Sequence, residues 1–484
     1  MIKDSLGQIS KITGSKVIIK VYASAAVNKV SVDNFALNYV SISSLLGTVL
    51  VDGRILVLTV EEIYEHDKEH FISAAISGIY DTILKKFSFG TNSYPLIGEK
   101  VFTLNNNILK SIFSAKKGVR EATIGTYIYD SSVPIGYNPD VLFGKHLGVF
   151  GNTGSGKTCT VVSIIQNYIR NNPGKDIKFI VLDVNGEYRT AFTEQEMEYY
   201  PFEKIRLPHG ILNNVEYGRL FRASEGVQYP ALRDSISTIS AASNGKWDLK
   251  DIIPKLNQWI QSNGSDNFSK NQLNGYLRTM VLRAESIFDD RTLMTVINSQ
   301  DDKDLLKTIL NSEKKVHILN LQVSSDSLDI VLYLLFKTLY QYKTSNRDST
   351  HLNLVLEEAH RYINSNLEET KLGNYYIDKL SREGRKFGIG LVISSQVPSM
   401  LSQEIISQCN SIIMHKITSR RDMEFLRGVL IISNDAFYMQ MSALEKQHAV
   451  VCGEAFPSDS IVRVHDAMPL PLSSDPTIED IPLG

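Results

Sequence analysis

The amino-acid sequence predicts an α/β protein in which a small N-terminal β-barrel precedes a parallel-sheet core with a helical insertion. Short β segments with close turns fill the start of the chain. From Leu147 onward, short apolar strands alternate with amphipathic helices, a pattern typical of parallel α/β sheets. A glycine-rich loop separates the first of these strands from the first helix, and such folds bind phosphate groups at this point.

Composition narrows the class of protein. The chain has 484 residues, of which 43% are hydrophobic and 21% charged, and these values exclude disordered, collagen-like and coiled-coil chains. The formal net charge of -2 argues against a protein that coats DNA by bulk positive charge. The three cysteines are Cys159, Cys409 and Cys452. Being widely spaced, they supply neither a disulfide framework nor a zinc site, and they predict a reducing compartment.

The sequence also predicts a protein without a membrane segment. Its first residues, Met1 to Ser5, lack the apolar core of a signal peptide. The longest unbroken apolar run, Ile330 to Phe336, has seven residues, whereas a membrane-spanning helix needs about 20. We therefore expect a soluble, cytoplasmic protein.

The predicted barrel covers residues 1–115. Gly14-Ser15 separates one pair of alternating segments, and Asp52-Gly53 separates another. An Asp-Gly pair between apolar runs is a strong hairpin signal. Many short strands with close turns favour a small barrel.

The predicted core covers residues 116–466. Its strands are expected at Leu147–Phe150, Ile177–Leu182, Val316–Leu321, Leu352–Leu356, Ile389–Ser394, Ser411–His415, His448–Cys452 and Ile461–Val464. The polar, helical stretch at about 201–313 is interpreted as an insertion between the second and third strands. Residues 467–484 are rich in proline, which cannot continue a helix, so they are predicted to form an extended arm.

A complete phosphate-binding motif follows the first core strand. Residues 151–158 read Gly-Asn-Thr-Gly-Ser-Gly-Lys-Thr and match the pattern G-x-x-x-x-G-K-[ST]. The glycines allow successive N–H groups to face phosphates, Lys157 neutralises phosphate charge, and Thr158 offers its hydroxyl to Mg²⁺. The residues predicted to bind ATP are Asn152, Thr153, Gly154, Ser155, Gly156, Lys157, Thr158 and Cys159. For Cys159, packing as a small residue is the simpler explanation.

Two carboxylates end the predicted strand Leu352–Leu356. In phosphate-loop enzymes, one carboxylate at such a strand end holds Mg²⁺ and a second acts on the attacking water. We predict Glu357 as the metal-side residue, together with Thr158, and Glu358 as the catalytic base. The alternative is a solvated helix N-terminus, where the helix dipole favours acidic residues.

Together, these motifs resemble the HerA branch of the HerA/FtsK ATPases. The resemblance rests on the phosphate loop, on Leu-Glu-Glu-Ala-His at 356–360, and on the segment from Ser381 to Gln396. The sequence from Val181 to Tyr188 and the β-rich start are also similar to that family. The resemblance implies a P-loop, RecA-like ATPase core, a barrel of the kind found in rotary ATP synthase subunits, and a homo-hexamer that acts on double-stranded DNA.

The resemblance also implies places at the nucleotide site for five further residues. Arg385 is the first candidate, and Arg382 the second, for an arginine finger that acts on ATP in a neighbouring subunit. Gln396 resembles a polar sensor of the γ-phosphate. The alternatives are a solvated basic helix end for the two arginines and a strand-end cap for Gln396. Asp183 and Glu187 are expected near the nucleotide, with a role as ordinary loop acids as the alternative.

The overall charge is nearly neutral, so composition does not indicate which residues would contact DNA. Residues 243–247, Lys270, Arg278 and Arg283 are candidate pore elements. For each of them, a solvated helix face is the alternative.

The leading hypothesis is a ring motor that hydrolyses ATP to translocate or unwind duplex DNA. It would work with a partner nuclease of the NurA type, or with a sirtuin-type effector, in end resection or antiphage defence. No nuclease or NAD-consuming motif is visible in the sequence, so such an activity would belong to a partner. The alternative is an ATP-regulated oligomeric scaffold that activates an effector. A conjugative pump of related fold is disfavoured, because no membrane segment is predicted.

Overall fold

The computed structural model describes residues 5–22, 40–114, 122–243, 247–298, 305–346, 350–363, 372, 375–430, 432 and 434–472. The strands are β1 (Ser5–Thr13), β2 (Lys16–Val21), β3 (Leu45–Val49), β4 (Ile55–His66), β5 (Glu69–Asp81), β6 (Lys86–Phe89), β7 (Lys100–Thr103), β8 (Thr123–Tyr127), β9 (Asp130–Gly136), β10 (His146–Phe150), β11 (Ile177–Asp183), β12 (Met197–Tyr200), β13 (Val316–Asn320), β14 (His351–Leu356), β15 (Ile389–Ser395), β16 (Ser411–Met414), β17 (His448–Gly453) and β18 (Ser460–Val464).

The α-helices are α1 (Asn106–Ile112), α2 (Pro139–Leu142), α3 (Lys157–Asn171), α4 (Asn214–Leu220), α5 (Gln228–Ala242), α6 (Ile252–Asn263), α7 (Asn267–Asp289), α8 (Arg291–Ile297), α9 (Leu305–Asn311), α10 (Ser325–Ser345), α11 (Tyr375–Glu383), α12 (Gln403–Ser407), α13 (Arg420–Val429) and α14 (Ala436–Gln440). Within the described ranges, no helix is both long and apolar enough to cross a membrane.

The N-terminal strands close into the predicted barrel. Their order is β2-β1-β7-β3-β4-β5, and antiparallel pairing of β2 with β5 completes the ring, while β6 pairs with the C-terminal part of β5. Ile9, Val17 and Leu56 are fully buried in its core. Gly14 and Gly53 adopt positive φ angles of 55° and 83°, as the tight hairpin turns require. The barrel and its two predicted hairpins are confirmed.

The chain divides into two compact units. The first combines Met1–Lys175, Ser394–Ser399 and Cys409–Gly484, and the second combines Asp176–Ile393 and Met400–Gln408. The predicted boundary at 115/116 lies outside the described residues, so it stays a prediction.

Each unit contains a group of core strands. Besides the barrel, the first unit holds strands in the order β10-β16-β17-β18-β8-β9, in which β10 and β16 are parallel and the other pairs antiparallel. The second unit holds the parallel array β12-β13-β11-β14-β15. The predicted parallel α/β fold is therefore confirmed.

The helical insertion consists of α4 to α9, which lie between β12 and β13 in the chain. All eight predicted core strands form, to within one residue at each end. The sequence reading missed β8, β9 and β12. Among the described strands, β12 pairs with β13 alone and so lies at the edge of the sheet. Its sequence, Met-Glu-Tyr-Tyr, lacks the apolar run that marks the interior strands of a parallel sheet, and it was therefore not predicted.

The start of the proline-rich arm is held against helix α3 of the same unit. The Met468 N–H donates to Gln166 Oε1 at 2.8 Å, and Gln166 Nε2 donates to the Pro469 carbonyl at 2.9 Å. The Gln166 amide therefore forms hydrogen bonds with one N–H and one carbonyl of the arm, as the backbone of a neighbouring strand would. Residues 473–484, which include Pro476 and Pro482, lie outside the described residues.

Candidate nucleotide site

The phosphate-binding loop begins where the fully buried strand β10 ends. Gly151, Gly154 and Gly156 have φ angles of 155°, 71° and 110°, values that residues with a Cβ rarely adopt. At Gly151, a Cβ would also lie 2.6 Å from the Cβ of His415. No side chain caps the N-terminus of α3, so the positive end of its dipole faces the loop. This arrangement suits an anionic ligand.

The loop is fixed by hydrogen bonds within the first unit. Asn152 donates its N–H to the Lys416 carbonyl at 2.8 Å and its side-chain amide to Thr418 Oγ1 at 2.6 Å. The ammonium of Lys157 donates to the Asn152 carbonyl at 3.0 Å. Lys157 and Thr158 are both buried, although both are polar. The loop therefore holds a cation and a hydroxyl at the start of α3, where the motif predicts them.

A neutral histidine lies beneath the loop. Burial lowers the pKa of His415 to about 3, so its ring is uncharged at neutral pH. Nδ1 lies 3.1 Å from the His448 carbonyl and Nε2 lies 2.9 Å from Thr160 Oγ1. Because a carbonyl can only accept, Nδ1 carries the proton and Nε2 accepts from the threonine. Sequence reasoning missed this contact, since nothing in the motif predicts it.

Gln396 lies at the phosphate loop. The Thr153 hydroxyl donates to Gln396 Oε1, and the Gly151 N–H donates to the Ser395 carbonyl at 3.4 Å. The amide is thus in contact with the loop, as a sensor would need to be, while the sensor role itself stays a prediction. Cys159 lies half-buried in the first turn of α3.

The predicted catalytic base has an unusual backbone. Glu358 follows β14 with φ 46° and ψ 47°, a left-handed conformation that costs a residue with a Cβ roughly 1–3 kcal/mol and is concentrated at functional sites. Its carboxylate is buried, and Oε2 lies 3.3 Å from Nδ1 of His360. Neither feature was predictable from the motif. Both indicate that the fold holds this carboxylate in a set orientation.

The predicted metal-side residue, Glu357, is also buried, and its Oε2 accepts from the Tyr188 hydroxyl at 2.7 Å. Burial and the nearby Glu357 charge raise the pKa of Tyr188 far above its usual value, so the hydroxyl remains a donor. Asp183 accepts from the backbone N–H groups of Gly186 and Glu187 at 2.8 and 3.0 Å. Asp183 therefore shapes the turn that carries Tyr188, a partner that sequence reasoning missed.

The two arginine-finger candidates differ in their surroundings. Arg382 is exposed on α11, where Nε lies 3.1 Å from Asp378 Oδ1, and such exposed pairs contribute only about 0.3–0.5 kcal/mol. Arg385 is half-buried in the short 3₁₀ helix Gly384–Phe387 and donates from Nη2 to Gln408 Oε1 at 2.9 Å. The action of either residue in a neighbouring subunit stays a prediction.

Comparison with known proteins shows similarity to helicases. Residues 122–339 match the family model described as the central domain of helicase HerA. A probable helicase of Methanocaldococcus jannaschii is 25% identical over 88% of this chain and 86% of its own. The DNA double-strand break repair helicase HerA of Saccharolobus solfataricus is 24% identical over 79% of this chain and 75% of its own.

Solved structures share the fold at low sequence identity. VirB4 of Thermoanaerobacter pseudethanolicus superposes with a TM-score of 0.53 at 12% identity, over 73% of this chain and 99% of its own. The plasmid coupling protein TrwB, in complex with a non-hydrolysable GTP analogue, gives 0.52 at 13% identity, over 76% and 95%.

Fold and site together define a P-loop ATPase of the RecA-like α/β class. The motif order and the family match refine this class. The chain is similar to HerA helicases over most of its length, and residues 122–339 match their central domain.

Proposed function

We propose that this protein is a ring motor that hydrolyses ATP to translocate or unwind double-stranded DNA. The observation that carries the proposal is the similarity to HerA repair helicases, which extends over 79% of the chain in the Saccharolobus relative. We further propose that the ring is a homo-hexamer, because ring motors of this kind complete each ATP site with a residue from the next subunit. The pathway would be DNA end resection or antiphage defence.

The proposed roles at the nucleotide follow from the chemistry of the residues. The loop N–H groups and Lys157 would bind the β- and γ-phosphates, together with residues from Asn152 to Cys159. Thr158 and Glu357 would hold Mg²⁺, which supplies neutralisation of phosphate charge. Among the described residues, no group of three or more His, Cys, Asp or Glu side chains is arranged to hold a metal. This fits Mg²⁺, which commonly keeps water and substrate phosphates as most of its ligands.

Hydrolysis would depend on three further side chains. The Glu358 carboxylate would orient and polarise the attacking water, because it is buried and set by strained backbone. Arg385 or Arg382 of a neighbouring copy would stabilise charge on the transferred phosphoryl group, as a planar guanidinium can. Gln396 would report the γ-phosphate through its contact with Thr153.

The decisive experiment measures the ATPase rate of the purified chain with and without linear duplex DNA, with native mass recorded on the same sample. The motor proposal expects a particle of six chains and strong stimulation by DNA. A ring whose turnover ignores DNA would contradict the motor. A matched sample of Lys157→Ala controls for contaminating ATPases.

A second candidate function is an ATP-regulated scaffold that assembles and activates an effector. One end of the barrel favours it, because large apolar side chains are exposed there: Val51 (84%), Ile83 (89%) and Ile97 (70%). These three side chains lie in three different turns. Strand pairing brings the turns to the same end of the barrel, as shown by the pairs Val49–Ile55, Ile55–Tyr80 and Thr48–Val101. Contiguous exposed apolar surface marks protein interaction sites.

This barrel end is the proposed docking surface for a partner, either a NurA-like nuclease or a sirtuin-type effector. In the scaffold function, hydrolysis would respond to the partner and not to DNA. Adding each effector to the ATPase assay separates the two functions. The substitution Ile83→Lys should weaken effector binding and leave ATP hydrolysis by the isolated chain unchanged.

A further inference from the structure

A groove between two helices of the insertion combines amide side chains with positive charge. It has a volume of about 550 Å³ and lies between α6 and α7. Its polar lining includes Asn257, Gln258, Gln261, Lys270, Asn271 and Asn274. Among the described residues of the insertion, no carboxylate lines it. Such a lining offers donors and one cation to an anionic ligand of extended shape.

The groove continues into an exposed face of α7. Asn271, Asn274 and Arg278 are three and four residues apart, so they lie on one face of the helix. All three are exposed. We call Asn271, Asn274 and Arg278, together with Lys270, the α7 stripe.

Positive charge on the two helices lies near the groove, and acids lie beyond it. From Ile252 to Asp289 the sequence contains four cations and three acids. Asp266 caps α7 by accepting the Ser269 N–H at 2.7 Å, whereas Glu285 and Asp289 lie in the last two turns of α7. The cations are Lys255, Lys270, Arg278 and Arg283. The segment from Lys270 to Arg278, which carries the stripe, therefore has two cations and no acid.

A second cavity, beside the insertion, has balanced charge. It has a volume of about 360 Å³ and is lined by Arg219, Arg222 and Arg283 together with Asp290, Asp326 and Asp329. Arg283 donates to the Arg222 carbonyl at 2.7 Å. The three aspartates offset the three arginines there, whereas the described lining of the α6–α7 groove contains one lysine and no carboxylate. The groove and the α7 stripe therefore have the better charge complementarity to phosphate.

We propose that the α6–α7 groove and the α7 stripe bind the sugar-phosphate backbone of duplex DNA. Asn, Gln, Lys and Arg side chains are the usual partners of DNA phosphates, and such contacts position the duplex without reading its sequence. This inference rests on the proposed motor function, which needs a sequence-independent grip on DNA. It assigns that grip to Lys270, Asn271, Asn274 and Arg278.

The first test compares two single charge changes on the same helix. Asn274→Glu places a negative charge on the stripe. Gln272→Glu makes the same change at an exposed position two residues away, which faces another side of the helix. Glutamate is a good helix former, so neither change should disturb folding. Binding of the full-length protein to a blunt linear duplex is measured by fluorescence anisotropy.

We expect Asn274→Glu to weaken duplex binding about tenfold, since like charges in contact are strongly unfavourable, and Gln272→Glu to change it less than twofold. Equal weakening by both variants would overturn the inference in favour of a bulk charge effect. Unchanged binding by Asn274→Glu, in a wild-type protein that binds DNA, would overturn the inference alone. A wild-type protein that binds no duplex would overturn the motor proposal as well.

The second test uses salt dependence. Each phosphate contact contributes about 0.9 to the slope of log affinity against log salt. Arg278→Gln should therefore lower that slope by at least about 0.9. Lys307→Gln removes the same charge from an exposed position on α9 of the same insertion and should leave the slope unchanged. A loss of slope in the Lys307 variant alone, or in neither variant, would contradict the assignment.

Discussion

Lys157 is the side chain of the phosphate-binding loop that would neutralise phosphate charge. Its ammonium is buried and bonded to the Asn152 carbonyl inside the loop. Lys157→Ala should abolish nucleotide binding or turnover, because the phosphates would lose the cation that the loop itself supplies. Binding of a fluorescent ATP analogue and the steady-state ATPase rate check this. Normal turnover would refute the site assignment.

The two adjacent glutamates should separate binding from chemistry. Glu358→Gln keeps the shape of the side chain and removes the base, so we expect ATP binding to remain while turnover falls about 10²–10⁴-fold. Glu357→Gln should instead raise the Mg²⁺ concentration needed for activity. Magnesium titrations of both variants make the comparison. The opposite pattern would exchange the two roles.

Tyr188 should affect the metal side through Glu357. Tyr188→Phe removes the donor to the Glu357 carboxylate and should raise the Mg²⁺ requirement. Tyr362→Phe is the matched control, because the Tyr362 hydroxyl donates to the backbone carbonyl of Glu357 at 2.9 Å and not to its carboxylate. Either change should cost about 1 kcal/mol of unfolding free energy. An equal Mg²⁺ shift in both variants would indicate a structural effect only.

At the scale of elements, α11 and the short helix after it carry the arginine-finger question. If Arg385 acts on ATP bound by a neighbour, Arg385→Ala and Lys157→Ala are each inactive alone. Mixed rings would then regain part of the ATPase rate, because some interfaces pair an intact loop with an intact arginine. The same mixing experiment with Arg382→Ala decides between the candidates. No recovery with either arginine variant would contradict an arginine finger from this segment.

Elements with a strong local pattern were predictable, and contacts between distant segments were not. The strand, glycine loop and helix around Lys157 follow from sequence because each part has its own signal. Tyr188, by contrast, is 169 residues from Glu357, and its role depends on the parallel pairing of β11 with β14. β12 escaped notice because an edge strand needs no apolar run.

For the whole molecule, three buried histidines predict how stability depends on pH. Burial lowers the pKa of His209 to about 4, of His317 to about 4 and of His415 to about 3. The unfolded chain binds these protons near pH 6.5, so the folded state loses stability as the pH falls below 6.5 toward 4. The loss is about 1.4 kcal/mol per histidine for each pH unit.

Urea unfolding at a series of pH values from 7.5 to 5 checks this dependence. His317→Gln should reduce the slope of unfolding free energy against pH by the contribution of one histidine. His66→Gln is the control, because His66 is exposed at the end of β4, and it should leave the dependence unchanged. A wild-type protein equally stable at every pH in this series would contradict the prediction.

The left-handed backbone at Glu358 has a consequence for tolerated variation. Glycine, asparagine and aspartate adopt that conformation most readily, whereas β-branched residues strain it. In a saturation library at this position, cellular abundance should therefore rank variants by backbone preference, with glycine and asparagine as abundant as the parent and valine and isoleucine depleted. Selection for activity should retain the parental glutamate alone, so the two rankings would diverge at this codon.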